Sequence, residues 1–135
     1  MRIVVDAYAW VELFLGSEKG NKVREILAEA REVYTPGVVM AEVARKYLRE
    51  GAGEQTVLER LKTITEASET APIGIEIALE SAKCYAELSE RARRVGARTP
   101  SLFDAIVLAT ARVLEAKVVT GDEHLKNLPE TLWTG

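Results

Sequence analysis

The sequence predicts an α/β protein with a mainly parallel sheet of four or five strands and helices on both faces. Three observations lead there. Short β-branched runs, RIVVD at 2–6, EVY at 32–34, APIGI at 71–75 and KVVT at 117–120, read as buried strands. Longer stretches with helical apolar spacing separate them, and strands that alternate with helices imply parallel pairing through crossovers. The chain has 135 residues, 47% hydrophobic and 29% charged, which suits one soluble globular domain spanning 1–135.

The elements follow in order. The first strand closes at Asp6, and AYAWVELFL (7–15) is a helix apolar on almost every side, which needs cover on more than one face. Gly16 and Ser17 break it. Val23, Ile26, Leu27 and Ala30 then mark an amphipathic helix. After the strand at 32–34, Thr35 is expected as N-cap and Pro36 as first residue of a helix running to about Glu50. Val57, Leu58, Leu61 and Ile64 mark a fourth helix, and 71–75 is expected as the third strand. A long helix over 76–95 ends near Gly96. Ser101 begins the helix SLFDAIVLATA, KVVT is a strand, and Gly121-Asp122 turns into a short helix at 122–127. TLW near the end is a further possible strand.

Composition excludes several functions. One cysteine, Cys84, rules out an internal disulfide, and one histidine rules out a histidine-rich metal site. A net charge of −3 does not fit a strongly basic nucleic-acid binder, although a bound divalent cation can supply local positive charge for a nucleic-acid substrate. No apolar stretch is long enough to span a bilayer. Asp6 and Glu12 interrupt the opening apolar run, which argues against a secretory leader. The expected location is the cytoplasm.

Of the 21 acidic residues only three are aspartate, Asp6, Asp104 and Asp122. In a doubly wound sheet the crevice lies at the carboxyl ends of the strands. Asp6 ends the first strand, Asp122 follows the 117–120 strand, and Asp104 sits in the first turn of the helix leading to that strand. All three are expected at one edge. Glu42 is the fourth candidate. It lies about 9 Å into its helix, but its longer side chain leans back towards the helix start. Each acid also has an ordinary structural explanation. Asp6 and Asp122 suit N-caps, Ser101 to Asp104 suits a capping box, and Glu42 can pair with Arg45 or Lys46. Capping does not explain why every aspartate falls at one edge, or why Glu42 is set among Val38, Val39, Ala41 and Val43. Four close carboxylates must take up protons or bind a cation, and oxygen ligands favour Mg²⁺ or Mn²⁺.

The segments IVVDAYAWVELF, VVMAEVAR, SLFDAIVLATA and VVTGDEHL, in this order and spacing, resemble the PIN-domain ribonucleases, in particular the VapC-type toxins of prokaryotic toxin–antitoxin pairs. The resemblance covers the whole chain. It implies a three-layer α/β/α fold and a Mg²⁺- or Mn²⁺-dependent endoribonuclease whose acidic site is Asp6, Glu42, Asp104 and Asp122. Asp122 would be the outermost acid, serving a second or substrate-dependent metal. Thr120 matches a hydroxyl residue that orients a water or a ligand. The resemblance further implies an RNA substrate, a homodimer, and a VapB-type antitoxin whose C-terminal segment blocks the groove. Many relatives carry Ser or Thr two residues after the first acid, where this chain has Tyr8, so a hydroxyl role does not carry over there.

RARRVGAR holds Arg91, Arg93, Arg94 and Arg98, which can meet RNA phosphates or simply favour a helix C-terminus. Simple winding sends that helix end to the far edge, unless the helix lies obliquely. Arg45 and Lys46 are similar candidates. His124 is treated as incidental, and Trp133 as packing. An Asp-based phosphatase needs a second Asp two residues after Asp6, which Tyr8 does not supply. The alternative of weight is a catalytically silent PIN-like module that binds RNA or protein.

Overall fold

A computed structural model describes residues 1–135. Five parallel strands form one sheet: β1 (Arg2–Val5), β2 (Glu32–Pro36), β3 (Glu69–Ala71), β4 (Lys117–Thr120) and β5 (Thr131–Trp133), in the order β3-β2-β1-β4-β5. Six helices connect them: α1 (Ala7–Leu15), α2 (Glu18–Glu29), α3 (Gly37–Arg49), α4 (Glu54–Ala67), α5 (Ile75–Arg94) and α6 (Leu102–Leu114). The expected α/β architecture with a parallel sheet is the one found.

The sheet centre is apolar because both its faces are covered. Ile3, Val4 and Val5 in β1 and Val118 and Val119 in β4 are all fully buried, as strands with helices on both sides require. Opposite them stand Trp10, Val39, Val43, Leu88 and Leu108. In α6 every residue from Ala105 to Ala111 is buried, so the helix is wrapped by the sheet and its neighbours. Helix α1 buries Ala9 and Trp10. Phe14 stacks on Trp10 at 6.1 Å between centroids, and the Arg60 guanidinium lies over Phe14 at 4.9 Å. Cys84 is buried in the same core, and burial pushes its thiol up to about 11. An inert core thiol is the result.

The chain order fixes where a site can form. From β1 the chain moves outward one way to β2 and β3, and it returns past β1 to β4 and β5. Strands β1 and β4 therefore flank the topological switch point, where the crevice opens beyond their carboxyl ends. Val4 pairs with Val118 and Val5 with Val119, and the Asp6 amide donates to Val119 O at 3.1 Å. That register brings Asp6 level with the end of β4.

Three expected boundaries differ. Thr35 is not the N-cap of α3. It is a fully buried member of β2, where its Oγ1 accepts from Trp10 Nε1 at 3.1 Å and bonds Ser68 Oγ at 2.7 Å. Pro36 is the N-cap, without a side-chain bond, and α3 starts at Gly37. The third strand covers 69–71, not 71–75. Pro72 has no N–H to extend an edge ladder, and Ile75 is the first residue of α5, 92% exposed. The short helix expected at 122–127 is a single 3-10 turn, Glu123–Leu125.

Helix α5 also settles the path left open by its winding. Arg91 Nη2 near its end donates to Lys126 O at 3.1 Å, just beyond the Asp122 turn. Arg112, late in α6, reaches Glu87 in mid-α5 at 2.8 Å and Glu130 at 2.7 Å. The two helices run antiparallel, and the C-terminus of α5 rises to the same edge as the N-terminus of α6.

Candidate active site

Each acid is delivered by local structure that also explains its residue type. Asp6 caps α1, its Oδ1 accepting from the Ala7 amide at 2.8 Å. Asp122 caps the 3-10 turn, its Oδ1 accepting from the His124 amide at 2.8 Å. Ser101 and Asp104 form a complete capping box: Ser101 Oγ accepts from the Asp104 amide at 3.2 Å, and Asp104 Oδ2 accepts from the Ser101 amide at 2.9 Å. The structural explanations of these three acids hold. They are compatible with a site, because in Asp104 and Asp122 capping occupies one carboxylate oxygen and leaves the other free of protein donors.

Glu42 behaves differently. It makes no ion pair with Arg45 or Lys46; Lys46 instead pairs with Glu50 at 2.7 Å. Because α3 begins at Gly37, Glu42 lies one residue nearer the helix start than expected. Burial and the charges of Asp104 and Asp122 raise its pKa, with Arg45 opposing. Helix α3 thus brings a half-buried carboxylate without hydrogen-bond donors to the same edge.

The four acids feel one another. Burial pushes Asp6 up to about 7 against the hydrogen bond from Thr120, and Glu42 and Asp122 add repulsion. Asp104 is raised by burial and by Asp122, while its bonds to Ser101 and the nearby His124 pull the other way. Carboxylates whose pKa values burial and like charge raise together make this edge the candidate functional cluster. A divalent cation removes that penalty, and a donor set of convergent carboxylate oxygens is what Mg²⁺ and Mn²⁺ prefer. Oxygens of Asp104 and Asp122, with a His124 ring nitrogen, lie within 4.8 Å of one another and fit such an ion; Asp6 and Glu42 lie outside that group and adjoin it through the charge coupling above.

Thr120 is fully buried at the end of β4. Its Oγ1 accepts from the Asp122 amide at 2.9 Å, so its proton is directed to Asp6 Oδ2 at 2.7 Å. One hydroxyl therefore ties the β4 turn to the β1 acid. Between Thr120 and Asp122, Gly121 lies under the Tyr8 ring, where an added Cβ would come within 2.2 Å of the ring. The Tyr8 hydroxyl accepts from Lys19 Nζ at 3.1 Å, so no hydroxyl role near Asp6 is found for it.

A cleft of about 380 Å³ opens beside Asp6, Glu42 and Asp122, with Tyr8 and Val11 on one wall and Arg45, Lys46 and Arg49 on the other. A second, of about 210 Å³, lies between the end of α5 and the 3-10 turn, and includes Arg91, His124, Lys126 and Asn127. The basic run of α5 thus stands on the acids' edge, though Arg91 is engaged by Lys126 O and Arg93 and Arg94 pair with Glu90.

His124, set aside as incidental on the sequence, stands beside two of the acids. His124 offers a ring nitrogen that lies with carboxylate oxygens of Asp104 and Asp122, all within 4.8 Å of one another. The sole signal was its place two residues after Asp122, in a turn too tight to carry it away.

The family model of the PIN domain matches residues 3–130. No curated protein matches the chain. Among solved structures, the chain is similar to a toxin–antitoxin complex from Klebsiella pneumoniae, with 18% identity over 98% of both chains and a TM-score of 0.72. It is also similar to DNA-bound VapBC from Salmonella typhimurium, with 13% identity, 100% and 99% coverage and a TM-score of 0.74. A third is VapC20 of Mycobacterium tuberculosis, a sarcin–ricin loop cleaving toxin, with 17% identity over 86% of both chains and a TM-score of 0.64. At these identities the likeness speaks for the fold. The family match spans nearly the whole chain, the sheet order and acidic edge agree with it, and the chain belongs to the PIN-domain family.

Proposed function

We propose that this chain is a Mg²⁺- or Mn²⁺-dependent endoribonuclease, the toxin of a VapBC-type pair, with Asp6, Glu42, Asp104 and Asp122 as its metal-holding acids. What supports the reading is four carboxylates from four separate elements that act on one another's ionisation, three of them with raised pKa values, with Asp6, Glu42 and Asp122 lining an open cleft. When bound, the cation supplies the charge and Lewis acidity that phosphodiester hydrolysis needs.

The chain's own residues do the rest. Asp6 is held in place by Thr120 and by the start of α1, which makes Thr120 a positioning residue. Glu42 presents a carboxylate that no protein donor occupies, and Asp104 presents its Oδ1, since Oδ2 accepts from the Ser101 amide. Asp122 stands on the turn after β4, where it caps the 3-10 turn. Arg45 and Arg49 form the cationic wall of the cleft, where they meet RNA phosphates flanking the scissile one and fix its register. An acidic protein with a local basic wall binds RNA weakly away from its site, as a turning-over enzyme should.

The family match and the likeness to VapBC complexes support an antitoxin as protein partner. A homodimer is part of the same reading, and so is a cytoplasmic location. No helix is long and apolar enough to cross a membrane.

Incubation of the purified chain with structured and single-stranded RNA tests the activity. Cleavage is expected with Mg²⁺ or Mn²⁺ and is lost with excess chelator. Asp104→Asn should lower it by roughly 100-fold or more, on the scale of losing a group that acts in the transition state, while circular dichroism reports an intact fold. Chelator-resistant cleavage, or equal cleavage by the variant, removes the hydrolytic assignment. RNA binding without cleavage points to a silent module instead.

A further inference from the structure

The PIN-type acids leave His124 unused, yet the fold puts its ring beside two of them, Asp104 and Asp122. The β4 turn is short, and Asp122 Oδ1 holds the His124 amide at 2.8 Å. The ring is thereby kept on the acidic edge, half-buried, with a nitrogen within 4.8 Å of oxygens from both Asp104 and Asp122. Capping takes Asp122 Oδ1 and Asp104 Oδ2, so each acid has a second oxygen to offer. Donors around one octahedral ion are separated by about 3 Å in cis and about 4.3 Å in trans when the bonds are near 2.1 Å. Separations of up to 4.8 Å close to that range by rotation of these side chains between staggered rotamers.

We propose that His124 is a ligand of the divalent cation held by Asp104 and Asp122, and that its imidazole makes this half of the site prefer Mn²⁺ to Mg²⁺. The inference rests on the metal-dependent reading above and adds a nitrogen donor to it. Mg²⁺ takes oxygen ligands and keeps its waters, whereas imidazole suits transition metals. Removing the ring should therefore cost Mn²⁺ far more than Mg²⁺.

The sequence has a single histidine, which makes the test unambiguous. Untagged protein at pH 8, where an ordinary imidazole is neutral, is titrated with Mn²⁺ and with Mg²⁺ by calorimetry. The Mn²⁺ sample is then examined by pulsed electron paramagnetic resonance for ¹⁴N coupling. Wild type should show imidazole ¹⁴N coupled to Mn²⁺. His124→Asn should lose it, with Mn²⁺ affinity down at least roughly tenfold and Mg²⁺ affinity changed by less than about twofold, since oxygen donors carry that ion. His124→Gln and thermal melts guard against a folding defect. Mn²⁺ binding that needs Asp104 but shows no nitrogen coupling overturns the inference and leaves the nuclease reading standing. Equal losses for both ions overturn the preference. No Mn²⁺ binding to folded wild type removes the metal site itself.

Discussion

At the scale of single residues, the site stores its own repulsion. Asp6 is buried, and burial raises its pKa from 3.8 to about 7. For an acid raised on folding, the folded state holds the proton more tightly, so stability falls as pH rises from the unfolded pKa through about 7. Asp6→Asn cannot ionise; its one amide oxygen keeps the bond from Ala7, and its Nδ2 donates towards Thr120 Oγ1 where the carboxylate accepted. In chelator-treated buffer the variant should gain on wild type between about pH 4 and pH 7, by about 2–4 kcal/mol at the upper end, measured by urea unfolding. A pH-independent difference would mean that Asp6 is not a strained buried carboxylate. His124 shows the limit of reading at this scale. A lone histidine has no pattern, and only the turn geometry around Asp122 places its ring against two acids.

At the scale of elements, the sequence was legible wherever two levels agreed. In RIVV and KVVT the three residues after the exposed Arg2 and Lys117 are all β-branched and all buried, so composition and burial point the same way. APIGI also offers two β-branched residues, yet both, Ile73 and Ile75, stay exposed and the strand stops before them. Apolar composition alone cannot tell a covered residue from an uncovered one. Thr35-Pro36 failed for a different reason: a good capping residue was claimed by tertiary hydrogen bonds to Trp10 and Ser68. Close approach of elements was also invisible. Gly20 in α2 lies against the end of α1, and an added Cβ would come within 2.1 Å of Glu12 O and 3.1 Å of Leu13 Cα. Both are backbone atoms and cannot swing aside. Gly20→Ala should therefore cost about 1–3 kcal/mol as overpacking, read as a lower urea midpoint with unchanged m-value. Unchanged stability would show that α1 and α2 can separate freely.

At the scale of the whole molecule, topology gathers what local signals scatter. Asp6, Glu42, Asp104 and Asp122 lie in four separate parts of the chain, and each has a local reason for its place. Only the reversal of direction between β1 and β4 brings them to one edge, which is why three aspartates in sequence already hinted at a site while the exact neighbours of each stayed hidden. The whole account stands on that edge holding a divalent ion. Diffraction from crystals soaked in Mn²⁺, with data at a wavelength where manganese scatters anomalously, measures this directly. The account predicts an anomalous peak at the Asp6, Glu42, Asp104 and Asp122 edge, with carboxylate oxygens about 2.0–2.4 Å away. A clean map with the four side chains ordered and no peak among them, or with manganese bound only elsewhere, would contradict it.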